Sequence, residues 1–255
     1  MELKLENKIV LKSDIVTGIL DKDNFLISYI EKINFEKKVI SQKGKKLTQK
    51  DLISLKKDIS IITPCIDNKY YDFTVYEYMK GVILFKKLEI KDYRKKIKDS
   101  LKIVGFNESY LTKRIGYLSK SEQTFVEFAT GLLSNPNILF LDNLYIFLDL
   151  KSIKKIQRLV QQLAEQYHKY IFLVTNDIEQ IYKYCSYMII LNGDSVVLEG
   201  NTKTIFENGI DILLTNGIEL PKTIQFSNMA NCVSSKKIGY FSDVRDLIKD
   251  VYKKV

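Results

Sequence analysis

Histidine and cysteine are scarce in this chain of 255 residues, which contains one histidine and three cysteines. The single imidazole, His168, excludes histidine-rich metal sites and argues against a cysteine–histidine nucleophile pair. Cys65, Cys185 and Cys232 are odd in number and share no CxxC spacing. They are therefore expected to be reduced thiols, as in a cytosolic protein.

Long apolar runs are also absent. No segment of the sequence approaches the roughly 18 apolar residues that cross a bilayer. The N-terminal sequence MELKLENK lacks the apolar centre of a signal peptide. The sequence therefore predicts a cytoplasmic protein that reaches a membrane only through a partner.

Charge of one sign does not dominate any region, although 40 Lys and Arg against 31 Asp and Glu give a net charge of +9. Basic residues alternate with acids and form only short clusters, such as residues 94–98. This favours a solvated surface, so no nucleic-acid partner is expected, while attraction to anionic lipid headgroups stays open. The 45% apolar fraction and the length fit one globular domain with a small appendage.

The strongest pattern in the chain lies between residues 118 and 149. A helix-like run over residues 122–134 ends at Asn135-Pro136, and a short apolar run, residues 138–141, then ends at Asp142. Such a run, bounded by a turn signal, fits a strand buried on both faces of a parallel sheet. Open α/β sheets bind ligands just beyond the carboxyl ends of their strands. Asp142 is therefore a candidate ligand-binding residue; the alternative is a surface aspartate that caps the strand.

This pattern resembles the ATP-binding cassette ATPases of ABC transporters, whose signature LSGGQ precedes a helix, a strand ending in Asp-Glu and a turn ending in Leu-Asp. Leu118-Ser119 match the start of the signature, and Lys120-Ser121-Glu122 replace its last three residues, which puts a carboxylate where phosphate would lie. Asp142 matches the Walker B aspartate, and Asn143 takes the place of the catalytic glutamate. Asp149 matches the last residue of the D-loop.

The segment after the predicted strand Ile15–Leu20 resembles a P-loop in position and departs from it in composition. A P-loop uses glycines, whose backbone N–H groups cradle phosphate, and a lysine that reaches the terminal phosphates. The sequence DKDNFLIS contains no glycine. The resemblance implies that Ile27 replaces the lysine and that Ser28 keeps the magnesium-binding position. Asp21 and Asp23 would repel a triphosphate.

Two further functional positions of the family are replaced. Pro64 stands where the Q-loop glutamine would sense magnesium, and proline offers neither a side-chain carbonyl nor an N–H. Asn176 follows the predicted strand over residues 170–174 in the place of the switch histidine; it can hydrogen-bond but cannot share a proton as imidazole does. The first aromatic residue is Phe25, so the adenine-stacking residue expected upstream has no candidate.

The resemblance runs from about residue 8 to the C-terminus. It implies a P-loop NTPase-like α/β fold, with a mostly parallel sheet, a helical subdomain and a truncated N-terminal β-subdomain. We predict an ABC ATPase-like domain over residues 1–206, its helical subdomain at about 74–130, and a C-terminal appendage over residues 207–255. Within the appendage, residues 213–221 resemble the tail element of the energy-coupling-factor branch, where this region helps two ATPases to dimerise.

The resemblance implies a degenerate subunit of an energy-coupling-factor or ABC-type transporter, deficient in ATP hydrolysis. It would be the structural or regulatory partner of an active paralogous ATPase in a heterodimer, held by a transmembrane component at the inner face of the cell membrane. No cofactor is then expected. If nucleotide binding is retained, the cofactor is Mg-ATP, with Asp142 and Ser28 as magnesium ligands and Ser119 and Asp149 as remaining nucleotide contacts.

Two alternatives stay open at this point. In one, the chain binds ATP weakly and the transporter hydrolyses it at a single composite site. In the other, the chain is a cassette-like scaffold with no role in transport. Whether the chain is an enzyme is therefore not decided by its sequence. The aromatic run at residues 70–73 is equally compatible with an interface and with core packing.

Overall fold

The computed structural model describes residues 3–4, 14–23, 26–27, 41–42, 45–46, 58–193, 195–233 and 237–254. Nine strands form two sheets within these ranges: β1 (Leu3–Lys4), β2 (Val16–Asp21), β3 (Ser41–Gln42), β4 (Lys45–Lys46), β5 (Ile59–Ile62), β6 (Ile138–Asp142), β7 (Tyr170–Thr175), β8 (Tyr187–Asn192) and β9 (Ser195–Asn201). The small sheet is antiparallel, in the order β1-β3-β4.

The central sheet has six strands in the order β5-β6-β7-β2-β8-β9. All neighbours in it are parallel except β8 and β9, which form an antiparallel hairpin. Every residue of β2 and β7 is buried. Such continuous apolar strands are typical of parallel sheets covered on both faces, so the predicted mostly parallel α/β fold is confirmed.

Nine α-helices lie within the described ranges: α1 (Val75–Phe85), α2 (Tyr93–Ile103), α3 (Lys120–Gly131), α4 (Leu150–Glu165), α5 (Ile178–Tyr184), α6 (Thr202–Asn208), α7 (Ile210–Thr215), α8 (Lys222–Val233) and α9 (Val244–Lys254). Three short 3₁₀ segments connect them at Asn68–Tyr70, Glu108–Thr112 and Ile115–Tyr117. None of the helices in this part of the chain is both long and apolar enough to cross a bilayer.

The core has two clusters, one on each face of the central sheet. The larger cluster joins the sheet to residues of α3, α4, α5 and the C-terminal segment. The smaller contains Phe140 and Phe172, whose rings stack with centroids 4.9 Å apart, together with Leu26 and Ile27. Gly18 lets α5 approach β2 closely, because a Cβ there would lie 2.6 Å from the Ile181 side chain.

Several predicted boundaries shift by a few residues. The helix predicted over residues 122–134 begins at Lys120 and ends at Gly131, because a polar cap rather than the first apolar residue starts it. A hairpin joins β8 to β9, where Asn192 pairs with Ser195. Of residues 3–11 only β1 is described, and the division into an ATPase-like domain and an appendage stays a prediction.

Candidate functional site

The carboxyl ends of β6, β7 and β2 meet at one edge of the central sheet, because these three strands are neighbours and parallel. Asp142 is the last residue of β6, Asp21 is the last of β2, and Asn176 follows β7. The topology therefore brings together three residues that are far apart in the sequence. Ligands of open α/β sheets bind at this edge.

At the end of β6, Asp142 is half-buried and its Oδ1 accepts a hydrogen bond of 3.1 Å from Asn143 Nδ2. The backbone N–H of Asn143 donates to the carbonyl of Val174 on β7 at 2.9 Å. Asn143 has φ = 44°, in the left-handed region, where asparagine is tolerated better than most residues. Hydrogen bonds of both its backbone and its side chain therefore hold Asn143 in place beside Asp142.

The loop after β2 is organised around an internal carboxylate. Asp21 is only 1% exposed, and its Oδ2 accepts the backbone N–H of Leu26 at 2.7 Å. Ile27, in the position that the resemblance gives to the phosphate-binding lysine, is 8% exposed and packs in the smaller core cluster. Backbone amides in such a turn bind phosphate in P-loops. In this chain the backbone amide of Leu26 donates instead to the carboxylate of Asp21. Ser28 lies outside the described residues.

Pro64 and Asn176 occupy different environments at this edge. Pro64 follows β5, is half-buried, and accepts a hydrogen bond at its carbonyl from the hydroxyl of Thr124 on α3. Asn176 is exposed and precedes Asp177, the residue that caps α5 by accepting the N–H of Glu179 at 2.9 Å. The loop with Pro64 is thus tied to the helix that begins at the signature.

The signature residues form the N-terminal cap of α3. Ser119 accepts the N–H of Glu122 at 3.2 Å, and the Glu122 carboxylate accepts the N–H of Ser119 at 2.9 Å. Glu122 also accepts the hydroxyl of Tyr110 at 2.7 Å. Partial burial opposes ionisation of Glu122, but the hydrogen bonds from Tyr110 and Ser119 prevail and lower its pKa. The carboxylate expected to face phosphate is therefore held by the chain itself.

Replacing Ser119 by alanine is expected to lower the free energy of unfolding by about 1 kcal/mol, since the variant loses the side-chain acceptor of the capping box. Chemical denaturation of the two proteins measures the difference. Ser186→Ala is the matched control because Ser186 is exposed and caps no helix. Equal losses for the two variants would contradict the structural role of Ser119.

Asp149 has a similar structural role at the start of α4. Its Oδ1 accepts the N–H of Ser152 at 2.7 Å, and this hydrogen bond lowers the pKa of Asp149. Ser152 Oγ in turn lies 3.5 Å from Ser121 Oγ on α3. A capping aspartate of this kind also interacts favourably with the positive end of the helix dipole.

Two features of the helices α1 and α3 were not predicted. Tyr78 on α1 donates its hydroxyl to Glu127 on α3, and desolvation raises the pKa of Glu127 to about 7. The two residues are 49 positions apart in the sequence, so no local sequence pattern predicts their contact. Beside it lies a cavity of about 330 Å³ lined mainly by aromatic residues: Tyr70, Phe73, Glu77, Tyr78, Gly81, Val82 and Phe85. We call it the aromatic groove.

The predicted aromatic run divides between core and surface. Tyr70 and Tyr71 are half-buried and pack against the larger cluster, whereas Phe73 is exposed. Core packing therefore accounts for Tyr70 and Tyr71, and a role of Phe73 in an interface stays a prediction. Across the described ranges, no group of three or more His, Cys, Asp or Glu side chains is placed to hold a metal ion.

Comparison with curated proteins finds relatives among transporter ATPases, while no protein-family model matches the chain. The chain is 29% identical over 212 residues to the energy-coupling factor transporter ATP-binding protein EcfA3 of Oenococcus oeni, covering 80% of this chain and 70% of that protein. It is 27% identical over 165 residues to EcfA2 of Acetivibrio thermocellus, covering 65% of this chain and 59% of that relative. It therefore spans only part of the relatives that it matches.

Comparison with solved structures identifies the fold. The structure of cbiO1 from Clostridium perfringens, part of the ABC transporter complex cbiONQ, superposes with a TM-score of 0.65. The match covers 86% of this chain and 90% of that one at 23% identity. The dimeric ABC transporter cassette MJ0796 superposes with a TM-score of 0.61 at 20% identity, covering 77% and 89%. The fold is that of an ABC ATPase cassette.

Proposed function

We propose, starting from the homology of this chain to the ATP-binding proteins of energy-coupling factor transporters, that it is a cassette subunit that does not hydrolyse ATP. It acts as the structural or regulatory half of a pair with an active, paralogous ATPase. Through a membrane component of the transporter it lies at the inner face of the cell membrane.

The observation that carries this proposal is the buried carboxylate in the loop after β2. Asp21 accepts the amide of Leu26, and Ile27 directs an apolar side chain into the core. A triphosphate in this loop would meet a fixed negative charge and would lack the lysine that neutralises its own charge. These residues fit Mg-ATP poorly, and no hydrolytic step is assigned to them.

Asn143 and Asn176 support the same conclusion. Neither amide can act as a general base, and such a group contributes about two to four powers of ten in rate. The side chain of Pro64 has no polar atom, so the loop after β5 lacks a side-chain metal ligand at this position. The backbone carbonyl of Pro64 already accepts the hydroxyl of Thr124.

The aromatic groove supports attachment to a membrane component. Phe85 is 87% exposed at the end of α1, and Phe73 and Leu84 are also exposed. Exposed aromatic side chains close to a cavity are enriched at protein interfaces, since they bury large areas at low entropic cost. The groove is the surface to which we assign the transmembrane component.

The C-terminal helices support a paralogous partner. Two stripes of exposed apolar side chains run along them at helical spacing: Phe226, Met229 and Val233 on α8, and Val244, Ile248 and Tyr252 on α9. Stripes of this kind mark surfaces that are covered in an assembly. We assign them to contact with the partner ATPase.

Calorimetric titration of the isolated chain with Mg-ATP tests the proposal. No binding in the micromolar range is expected, because the loop after β2 already contains its own anion. The variant Asp142→Ala is the control, and its titration should match that of the wild type. Micromolar affinity in the wild type that the variant loses would refute the proposal.

A second candidate function rests on Asp142, which keeps its place at the carboxyl end of β6. In this case the chain binds ATP weakly and contributes to one composite hydrolysis site in the transporter. Co-expression with the paralogous ATPase separates the two functions. Asp142→Ala should leave ATP hydrolysis by the assembled transporter unchanged under the first proposal and abolish it under the second.

A further inference from the structure

The helices α2 and α4 are neighbours in the fold and hold most of the positive charge of the chain. Together they contain nine lysines and arginines against two acidic residues, a surplus of seven, while the net charge of the whole chain is +9. Glu108 neutralises part of this surplus through Arg94 and Lys98. A Cβ at Gly105, just after α2, would lie 2.7 Å from Nζ of Lys155 on α4. Basic clusters that are short in the sequence thus form one surface in the fold.

A groove of about 460 Å³ lies between these two helices. Its apolar walls include Ile103 of α2 and Leu159 and Leu163 of α4, and its charged residues are Lys96 and Lys169. No acidic residue is among those that line it in the described part of the chain. We call it the basic groove, because apolar walls and cations of one sign meet in it.

Lys169 gives the basic groove a buried cation that no carboxylate contacts. Its Nζ donates to Oδ1 of Asn135 at 3.0 Å and to Oδ1 of Asn137 at 3.2 Å, and no described carboxylate lies within salt-bridge distance. Burial lowers the pKa of Lys169, and the more distant charge of Asp58 opposes this effect. An anionic group that enters the groove therefore meets positive charge and no lining group of its own sign.

A row of cations on α4 borders the groove. Lys151, Lys155 and Arg158 are exposed and follow one another at intervals of four and three residues, and Gln162 continues this series into the groove. On α2, Lys96 lines the groove itself. Neither Lys96 nor Arg158 forms an ion pair with any residue that the structure describes. Both cations are therefore available to an external anion.

The mixture of apolar and cationic side chains selects among anionic partners. Nucleic acid would use the cations for its phosphates but would leave the exposed Ile103 and the leucines of the groove without a role. A membrane surface offers anionic headgroups above an apolar layer, and peripheral proteins bind it with lysine and arginine beside apolar side chains. Tyr167, exposed in the same groove, suits the boundary between the two layers. A lipid surface therefore fits the basic groove best.

We propose that α2 and α4 bind directly to a membrane surface that contains anionic lipids. Lys96, Lys155 and Arg158 contact the headgroups, while Ile103 and Tyr167 enter the boundary between headgroups and acyl chains. The chain thus touches the bilayer with a surface of its own, in addition to any membrane protein that holds it. This contact goes beyond the proposed function and does not depend on whether the chain hydrolyses ATP.

Co-sedimentation of the full chain with lipid vesicles tests the proposal. The chain is expected to bind vesicles of phosphatidylcholine and phosphatidylglycerol, to bind pure phosphatidylcholine much more weakly, and to dissociate as salt screens the charges. Absence of binding to the anionic vesicles would refute the proposal. If the chain binds single-stranded RNA and not these vesicles, the surface is one for nucleic acid and the proposal is equally wrong.

Charge variants assign the binding to this surface. Lys96→Gln and Arg158→Gln are each expected to weaken binding to the anionic vesicles about fivefold, the contribution of one cation close to such a surface. Lys203→Gln removes an exposed lysine of α6 and should leave binding nearly unchanged. Equal losses in all three variants would mean that the net charge of the chain attracts the vesicles, which would overturn the proposal.

A matched pair of apolar variants tests insertion into the lipid. Ile103 on α2 is 48% exposed and Ile212 on α7 is 46% exposed, so both can become serine with little effect on folding, which thermal unfolding verifies. Ile103→Ser should weaken vesicle binding about fivefold, since less apolar surface leaves water. Ile212→Ser should bind as the wild type does. Wild-type affinity in Ile103→Ser would show that the groove does not enter the lipid and would contradict the proposal.

Discussion

The free energy of unfolding is expected to fall by about 3 kcal/mol through Glu127 alone as the pH rises from 4.5 to about 7. Glu127 lies between α1 and α3, where burial raises the pKa of its carboxyl from 4.5 to about 7. The hydroxyl of Tyr78 and the nearby charge of Lys86 partly oppose this effect.

The direction follows from linkage. The folded protein binds the proton of Glu127 more tightly than the unfolded chain does. The stabilisation is therefore complete below the pKa of the unfolded chain and is lost as the pH rises through that of the folded protein. Above pH 7, folding has to desolvate a charged carboxylate that would otherwise be in water.

Urea denaturation across this pH range measures the effect. The variant Glu127→Gln is neutral at every pH and can still accept the Tyr78 hydroxyl, so its unfolding free energy should lose this slope and exceed the wild-type value at alkaline pH. Glu165→Gln, on the exposed end of α4, is the control and should keep the wild-type slope. A wild-type slope in Glu127→Gln would mean that Glu127 is ionised in the folded protein.

Replacing Phe172 by alanine is expected to cost about 3–5 kcal/mol of unfolding free energy, the largest loss among the substitutions considered. Phe172 lies in the middle of β7 with 0% exposure and stacks on Phe140 of β6. Its removal leaves a cavity in the smaller core cluster on one face of the sheet. Because β7 has hydrogen-bonded parallel neighbours on both sides, the surroundings can close this cavity only partly.

Phe85→Ala is the same chemical change at a surface position and serves as the control. Phe85 is 87% exposed, so its replacement should alter the unfolding free energy by no more than about 0.5 kcal/mol. The same variant should weaken association with the membrane component, because Phe85 lines the aromatic groove. Equivalent stability losses at positions 172 and 85 would contradict the assignment of core and surface.

The sequence was sufficient for the features that depend on local pattern. The apolar run before Asp142 forms β6, and the run over residues 170–174 forms β7, because residues buried on both faces must all be apolar. The position of Asp142 at the sheet edge follows from the same pattern and from the way parallel strands end.

Features that depend on tertiary contacts could not be predicted. Asp21 and Asp23 look equivalent in the sequence, yet Asp21 is buried and accepts the Leu26 amide while Asp23 is exposed. The pairing of Tyr78 with Glu127 joins two helices that are far apart in the chain. The capping role of Ser119 and Glu122 could have been recognised, since Ser-x-x-Glu before a helix is a capping-box pattern.

Under the proposed function, in which the chain does not hydrolyse ATP, the left-handed backbone of Asn143 limits how catalysis could arise during evolution. A single codon change to glutamate would supply the carboxylate at that position, but a glutamate with φ = 44° would be strained by roughly 1–2 kcal/mol. It would also stand beside Asp142 with no lysine at position 27 to offset the added charge. Each such step is unfavourable until the others have occurred, so under the same proposal a chain with this loop geometry is expected to keep its dependence on an active paralogue.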